Sequence, residues 1–206
     1  SSTSRGLGDV YKRQLIDYLL ALDALKSVNR RNYTTQLSEH TPRRLENSAE
    51  HSWHLAMACW AVAQHFKLNV NHEKLLKLAL VHDLGEIEAG DTFLYADKRS
   101  QAHVDERIGV EKLAAMMGNP VPELLTLWDE QETGHSAESK LLKVVDRLLP
   151  FMLNMVTDGG AWTDHQVKRS QVQAAQAFIR QDFPEIHDWI TEQIAIAVQQ
   201  GWLIED

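Results

Sequence analysis

Apolar residues along this chain recur at spacings of three and four, the period of helices with one buried face. Leu15, Ile16, Leu19, Leu22 and Leu25 follow that spacing and predict a first helix ending near Val28. A polar stretch from Asn29 to Glu46 interrupts the pattern; it holds Pro42 and the arginines Arg30, Arg31, Arg43 and Arg44. Asn47 then precedes Glu50 at the spacing of a capping box. The helix it opens carries Trp53, Ala56, Met57, Trp60 and Ala61, a stripe expected to face the core.

Asn71 is expected to cap a third helix, through Leu75, Leu76, Leu78, Ala79 and Leu80 to His82-Asp83-Leu84-Gly85. A loop containing Gly90 leads to a helix from about Ser100, stopped by Gly118-Asn119-Pro120. Pro122 starts the next, which ends near Gly134. Ser136 begins another through Leu141, Val144, Val145 and Leu148, and Pro150 should kink or break it. Beyond Gly159-Gly160, two amphipathic helices are expected from about Thr163 and about Pro184 to the end. The chain shows no alternating strand pattern, internal repeat or long flexible linker. The fold class that follows is all-α: one domain of about seven to nine helices over residues 15–206.

Residues 1–14 are set apart. Ser1 to Gly8 is a low-complexity Ser/Gly start, and Asp9-Val10-Tyr11-Lys12-Arg13-Gln14 reads as a translated transposon-end adapter. They are expected to be a non-native or disordered leader without function.

Composition narrows the function classes. The 206 residues are 44% hydrophobic and 24% charged, an ordinary globular mixture that excludes global disorder, collagen-like repeats and rods. With 21 Lys+Arg against 29 Asp+Glu the net charge is −8, which disfavours coating a nucleic-acid polymer. The longest apolar run, Ala56 to Ala63, is far short of the roughly 20 residues that span a bilayer. No secretory signal core precedes it, so no membrane association is expected. A lone cysteine, Cys59, cannot close an intrachain disulfide, and a reducing cytoplasm is the expected compartment.

The sharpest chemical feature is Val81-His82-Asp83-Leu84-Gly85-Glu86. Adjacent helical residues diverge by about 100°, yet His82 and Asp83 can converge on an ion over the ridge between them where Gly85 lets the helix bend. Glu86 lies three and four residues on, near the same face. The alternative for these residues alone is an ordinary capped helix end. His51 lies in the first turn of an amphipathic helix, where it can point inward. Asp146 sits among apolar positions, where a carboxylate is costly unless paired or bound to a cation. His51, His82, Asp83 and Asp146 together would offer two imidazoles and two carboxylates. Such a set suits Mn, Co, Fe, Ni or Zn better than a soft thiolate site does.

In this order, the segments resemble the HD-domain metal-dependent phosphohydrolases, whose signature is a histidine, a later His-Asp pair and a distal aspartate. "AEHSWHLA", "LALVHDLGEIEAGD" and "KVVDRL" are similar to the 5′-deoxynucleotidase-like subgroup, from about Leu25 to about Val172. The resemblance implies one divalent metal ion (Mn, Co, Zn, Fe, Ni or Mg) on His51, His82, Asp83 and Asp146. It also implies catalytic roles for Glu86 and Asp91, a small-molecule nucleotide substrate, and a homodimer. The subgroup's substrate arginine matches Arg30, and its next residue, a tryptophan, is here Arg31. The segment between this arginine and the first histidine is also longer than in the bacterial deoxynucleotidases. Within "WDEQE", Glu130 is a substrate-side candidate.

The implied reaction is hydrolysis of a phosphate monoester, most specifically a (deoxy)nucleoside 5′-monophosphate to nucleoside and phosphate. Alternatives are a phosphohydrolase or phosphodiesterase acting on another small phosphate ester, or a non-catalytic nucleotide-binding HD sensor. Several other residues are expected to be bland. His54, His65, His72, His103, His135, His165 and His187 read as solvated or helix-end residues. Arg43 and Arg44 fit surface charge or a phosphate-recruiting edge equally well. Trp189, Ile190, Ile194 and Val198 form a stripe that either closes the core or meets another subunit, and the subgroup's habit of dimerising favours the second.

Overall fold

Helices carry most of the chain, as the periodicity predicts. The computed structural model describes residues 2–36, 38, 40–96 and 99–206, without the side chains of 2–7, 99 and 100. These residues divide into two compact units: 1–29, 47–91 and 98–142 in one, 30–46, 92–97 and 143–206 in the other.

In the first unit, α1 (Ser2–Asp23) runs into a 3-10 turn (Ala24–Ser27). The helix begins well before Leu15, so it includes most of the residues assigned to the leader. Then come α2 (Ser48–His65), α3 (His72–Val81), α4 (Glu86–Ala89), α5 (Arg99–Ala115) and α6 (Leu124–Thr133). Both predicted caps form. Glu50 N–H donates to Asn47 Oδ1 at 3.0 Å while Asn47 N–H donates to Glu50 Oε2 at 3.3 Å, so two orphan donors of α2 are satisfied reciprocally. Lys74 N–H donates to Asn71 Oδ1 at 3.1 Å at the start of α3. Helix α3 packs on α2 and α6, and α5 on α4 and α6. Leu25, Val81, Leu84, Val110, Leu113, Leu124 and Trp128 form a core between them. Burying each such side chain contributes about 1.5–3 kcal/mol.

One expectation about α2 is reversed. Trp53, Met57 and Trp60 are 66%, 45% and 46% exposed, so their stripe faces outward. The buried stripe is Ser48, His51, Ser52, Leu55, Ala56, Cys59 and Ala63. It keeps helical spacing but is built of small and polar residues, which allow close packing and carry little hydrophobic weight.

The second unit holds most of two short strands, β1 (Asn29–Tyr33) and β2 (Leu45–Asn47), paired in a two-stranded sheet. They lie where the sequence reads as plain polar loop. Burial alternates along β1, but its inward residues are Arg30 and Asn32, so a pattern of apolar residues cannot reveal the strand. Helix α7 (Ala137–Val156) passes through Pro150 without breaking, and the division between the units falls inside it. Pro150 has no N–H to donate within the helix, and its carbonyl receives Asn154 Nδ2 at 2.8 Å.

The single helix expected from Thr163 is instead three short ones, α8 (Gly160–Asp164), α9 (Arg169–Gln176) and α10 (Ile179–Asp182). Gln166 adopts φ 51°, which no right-handed helix accommodates. Helix α11 (Pro184–Gln199) follows. Its Ile190, Ile194 and Ala197 join Val144, Phe151, Trp162 and Val172 in the unit's core, with Val198 against it. Ile190, Ile194 and Val198 of the C-terminal stripe therefore close this core, while Trp189 stays 40% exposed.

No helix among the described residues is long and apolar enough to cross a membrane.

Candidate metal centre

The end of α3 decides the geometry of the first unit's polar cluster. Val81 closes the helix, and the chain passes through His82-Asp83-Leu84-Gly85 before turning again into α4. His82 keeps helical backbone angles, φ −59° and ψ −40°. Helix α4 then begins with Glu86 and ends at Gly90, whose φ of 76° turns the chain toward Asp91. Gly85 is required here by space. A Cβ on it would fall 2.5 Å from the carbonyl oxygen of Glu106 on α5, well inside contact distance.

His51, in the first turns of α2, is fully buried, and its ring centroid lies 5.4 Å from that of His82. One ligand atom from each of His51, His82 and Asp83 falls within 4.8 Å of the others, and all three residues are buried. Three of the four expected ligands are thus brought together. The hydroxyl of Ser48, three residues before His51, donates to Glu86 Oε2 at 2.5 Å, and so fixes that buried carboxylate from α2.

His82 is oriented from both sides. Its Nδ1 lies 2.8 Å from the Ala79 carbonyl, which can only accept, so Nδ1 carries the proton. Its own carbonyl accepts Trp128 Nε1–H at 3.0 Å, a bond that ties α6 to the turn. Nε2 is left facing Asp83 Oδ1 at 3.0 Å. In the neutral ring, the Nε2 lone pair and the carboxylate oxygen would repel each other at that distance in a buried site, and a cation between them would relieve this. Two imidazoles and a carboxylate with a carbonyl-bound Nδ1–H are the donor set and outer-shell hydrogen bond of a divalent-metal site. The residues fit the group that the sequence implies.

Asp146 and Arg30 belong to the second unit. Asp146 is half-buried on α7 and accepts Arg147 Nη1 at 2.9 Å. Arg30 is buried on β1, its Nε 3.7 Å from Glu46 Oε2. Asp91 is half-buried just beyond Gly90 in the first unit. Glu130, on α6, pairs with Lys74 Nζ at 2.5 Å and accepts Ser136 Oγ at 2.8 Å. The Lys74 contact, with help from Ser136 and against the effect of burial, holds the Glu130 carboxyl below the usual carboxylate range.

Sequence reasoning missed Ser48, Glu46 and Trp128. Two of them had a signal: Ser48 is next to the predicted cap, and Trp128 opens the "WDEQE" segment. It also missed a second group within 4.8 Å of one another, His103 and Glu106 on α5 with Glu132 on α6. His103 had read as bland.

Comparison with known proteins follows the same lines. The model of the HD domain family matches residues 22–187. The 5′-deoxynucleotidase HDDC2 of Homo sapiens is 26% identical over 176 residues, 84% of this chain and 78% of the human protein. The Danio rerio protein of that name is 34% identical over 106 residues, 50% of this chain, and the match spans about half the length of that relative, 51%. Among solved structures, a predicted metal-dependent phosphohydrolase from Magnetospirillum magnetotacticum MS-1 superimposes with a TM-score of 0.80 at 29% identity. That match covers 93% of this chain and 94% of the other.

Proposed function

The chain belongs to the HD-domain family, and from that premise we propose that this hydrolase releases phosphate from a (deoxy)nucleoside 5′-monophosphate. The single observation that carries the reading is the buried convergence of His51, His82 and Asp83 within 4.8 Å. The relatives named as 5′-deoxynucleotidases and the neighbour described as a metal-dependent phosphohydrolase support the substrate class and the reaction type.

His51, His82 and Asp83 would hold one divalent ion, with Asp146 as the distal carboxylate of the family signature. The assignments of Asp146 to the metal and Arg30 to the substrate rest on the sequence resemblance. Bound there, a divalent ion lowers the pKa of its water and offsets charge on the phosphoryl oxygens. The chain's own groups supply the rest. His82, fixed through Nδ1, presents Nε2 in one orientation and needs no reorganisation to ligate. Glu86, held by Ser48, positions or deprotonates the attacking water. Asp91 orients water or returns a proton to the departing 5′-oxygen. Arg30 is the planar cation suited to a phosphate, and Glu130 stands on the substrate side. A homodimer in the cytoplasm is the proposed setting.

The test is phosphate release across a panel of nucleoside monophosphates, sugar phosphates and cyclic dinucleotides. Turnover confined to nucleoside monophosphates is expected. Tight nucleotide binding without hydrolysis under any divalent ion would favour a sensor instead.

A further inference from the structure

Helix α2 has two faces of opposite character. Its inner stripe carries Ser48 and His51, while Trp53, Met57 and Trp60 stand outward, 66%, 45% and 46% exposed. Steps of four and three residues put these three side chains on one ridge of the helix. No Lys, Arg, Asp or Glu falls between Glu50 and Lys67. The outer face of an ordinary surface helix is rich in such groups. With whole side chains of roughly 200–250 Å², the ridge exposes about 350 Å² per copy. That equals the largest apolar patch of a typical monomer, and such patches mark contact surfaces. The Trp53 ring lies against that of His54, centroids 6.5 Å apart at 30°, so this indole has less freedom to lose on contact.

The chemistry of the ridge selects its occupant. A membrane-surface helix or a nucleic-acid contact needs Lys or Arg beside the apolar residues, and this stretch of α2 supplies none. A charged partner protein finds no opposite charge on it. A second copy of the chain fits on three counts. Each copy has net charge −8, so copies repel where carboxylates meet, and a ridge without charge is where that repulsion is least. Trp53 and Trp60 lie on opposite sides of Met57, about 6 and 4.5 Å along the helix axis. Two such helices, antiparallel about a two-fold axis at Met57, set Trp53 against Trp60 of the partner subunit and bring the two Met57 thioethers together. The area also suffices. Two ridges remove about 700 Å². The exposed Ala61 and Gln64 and the half-buried His54 bring the total close to the lower end of the roughly 1,200–2,000 Å² of a specific interface. A rival apolar face on α1, Ile16, Leu19 and Leu20, carries the exposed Asp17 on its flank. We infer that two copies pair through the Trp53, Met57 and Trp60 ridge, α2 against α2, with His51 of each copy buried on the opposite face. The pairing gives the homodimer proposed above its interface; it rests on that setting and not on the reaction.

The light-scattering mass of the full chain across a dilution series tests this. The wild type is expected at twice the chain mass of 23.5 kDa, falling toward the single mass on dilution. Trp53→Glu and Trp60→Glu should each weaken self-association by about tenfold or more, with far-UV circular dichroism unchanged because both positions face solvent. Met57→Cys serves if those substitutions perturb folding. Its introduced thiol sits at the two-fold axis and should link two copies under mild oxidation, while Leu20→Cys, exposed on α1, should not. A wild type that is monomeric at every concentration overturns the inference together with the homodimer. A dimer that survives both Trp53→Glu and Trp60→Glu, or that is lost on Leu20→Glu and kept in Trp60→Glu, overturns the inference and leaves the homodimer standing. Phosphate release enters neither readout, so failure of the proposed reaction is seen separately.

Discussion

His82 presents Nε2 to Asp83 Oδ1 at 3.0 Å while its Nδ1 is committed to the Ala79 carbonyl at 2.8 Å. The second contact sets the first: with a proton on Nδ1, a neutral ring turns its Nε2 lone pair toward a buried carboxylate, an arrangement that a cation between them would satisfy. Asp83→Ala removes one side of that pair and one ligand. Metal affinity and turnover should fall together, while far-UV circular dichroism stays that of the wild type. Full activity in metal-stripped Asp83→Ala protein would contradict the assignment.

In the proposed reaction Ser48 would act through Glu86. Its hydroxyl holds Glu86 Oε2 at 2.5 Å, and both residues are buried. Ser48→Ala should cut kcat by about 10–100-fold, the usual cost of losing an outer-shell partner. Ser48→Thr restores the hydroxyl and should recover most of the rate. An unchanged kcat in Ser48→Ala would remove Ser48 from the machinery.

Gly85 is held to its identity by packing. Its missing Cβ leaves room for the Glu106 carbonyl, which even alanine would meet at 2.5 Å. Gly85→Ala should lower stability by about 1–3 kcal/mol, as other overpacked sites do. Urea denaturation followed by tryptophan fluorescence measures the shift.

Glu130 and Lys74 predict a pH effect. The folded-state pKa of Glu130 is depressed, chiefly by the Lys74 contact. The pair therefore stabilises the fold above the ordinary carboxylate pKa, and that contribution is lost as pH falls through the depressed value. Lys74→Met should lower stability at pH 7 by up to about 1 kcal/mol, the scale for a partly exposed pair. The gap between variant and wild type should close under acidic conditions below about pH 4. A gap that widens in acid would rule the pair out as its source.

How far the sequence revealed all this depended on what kind of signal each feature leaves. Asn47 and Asn71 cap as predicted because a capping side chain acts on backbone three residues away. His51, His82 and Asp83 were legible because their spacing within a family signature is itself informative. The orientation of α2 was not, because its buried stripe is Ser48, His51, Ser52, Ala56, Cys59 and Ala63 with Leu55 as its one large apolar residue, while the large Trp53 and Trp60 lie outside. Strand β1 was hidden because its inward positions are Arg30 and Asn32. His103 looked solvated because its partner Glu132 lies on another helix, a proximity only the fold creates.

Metal-dependent release of phosphate is the property by which the proposed function stands or falls. The most direct measurement is inorganic phosphate formed from a deoxynucleoside 5′-monophosphate by metal-stripped protein, before and after adding Mn, Co, Zn or Mg. Activity should be absent before addition, return with at least one of these ions, and fail to return in Asp83→Ala. Equal phosphate release with and without added metal, or none under any ion, would contradict the account.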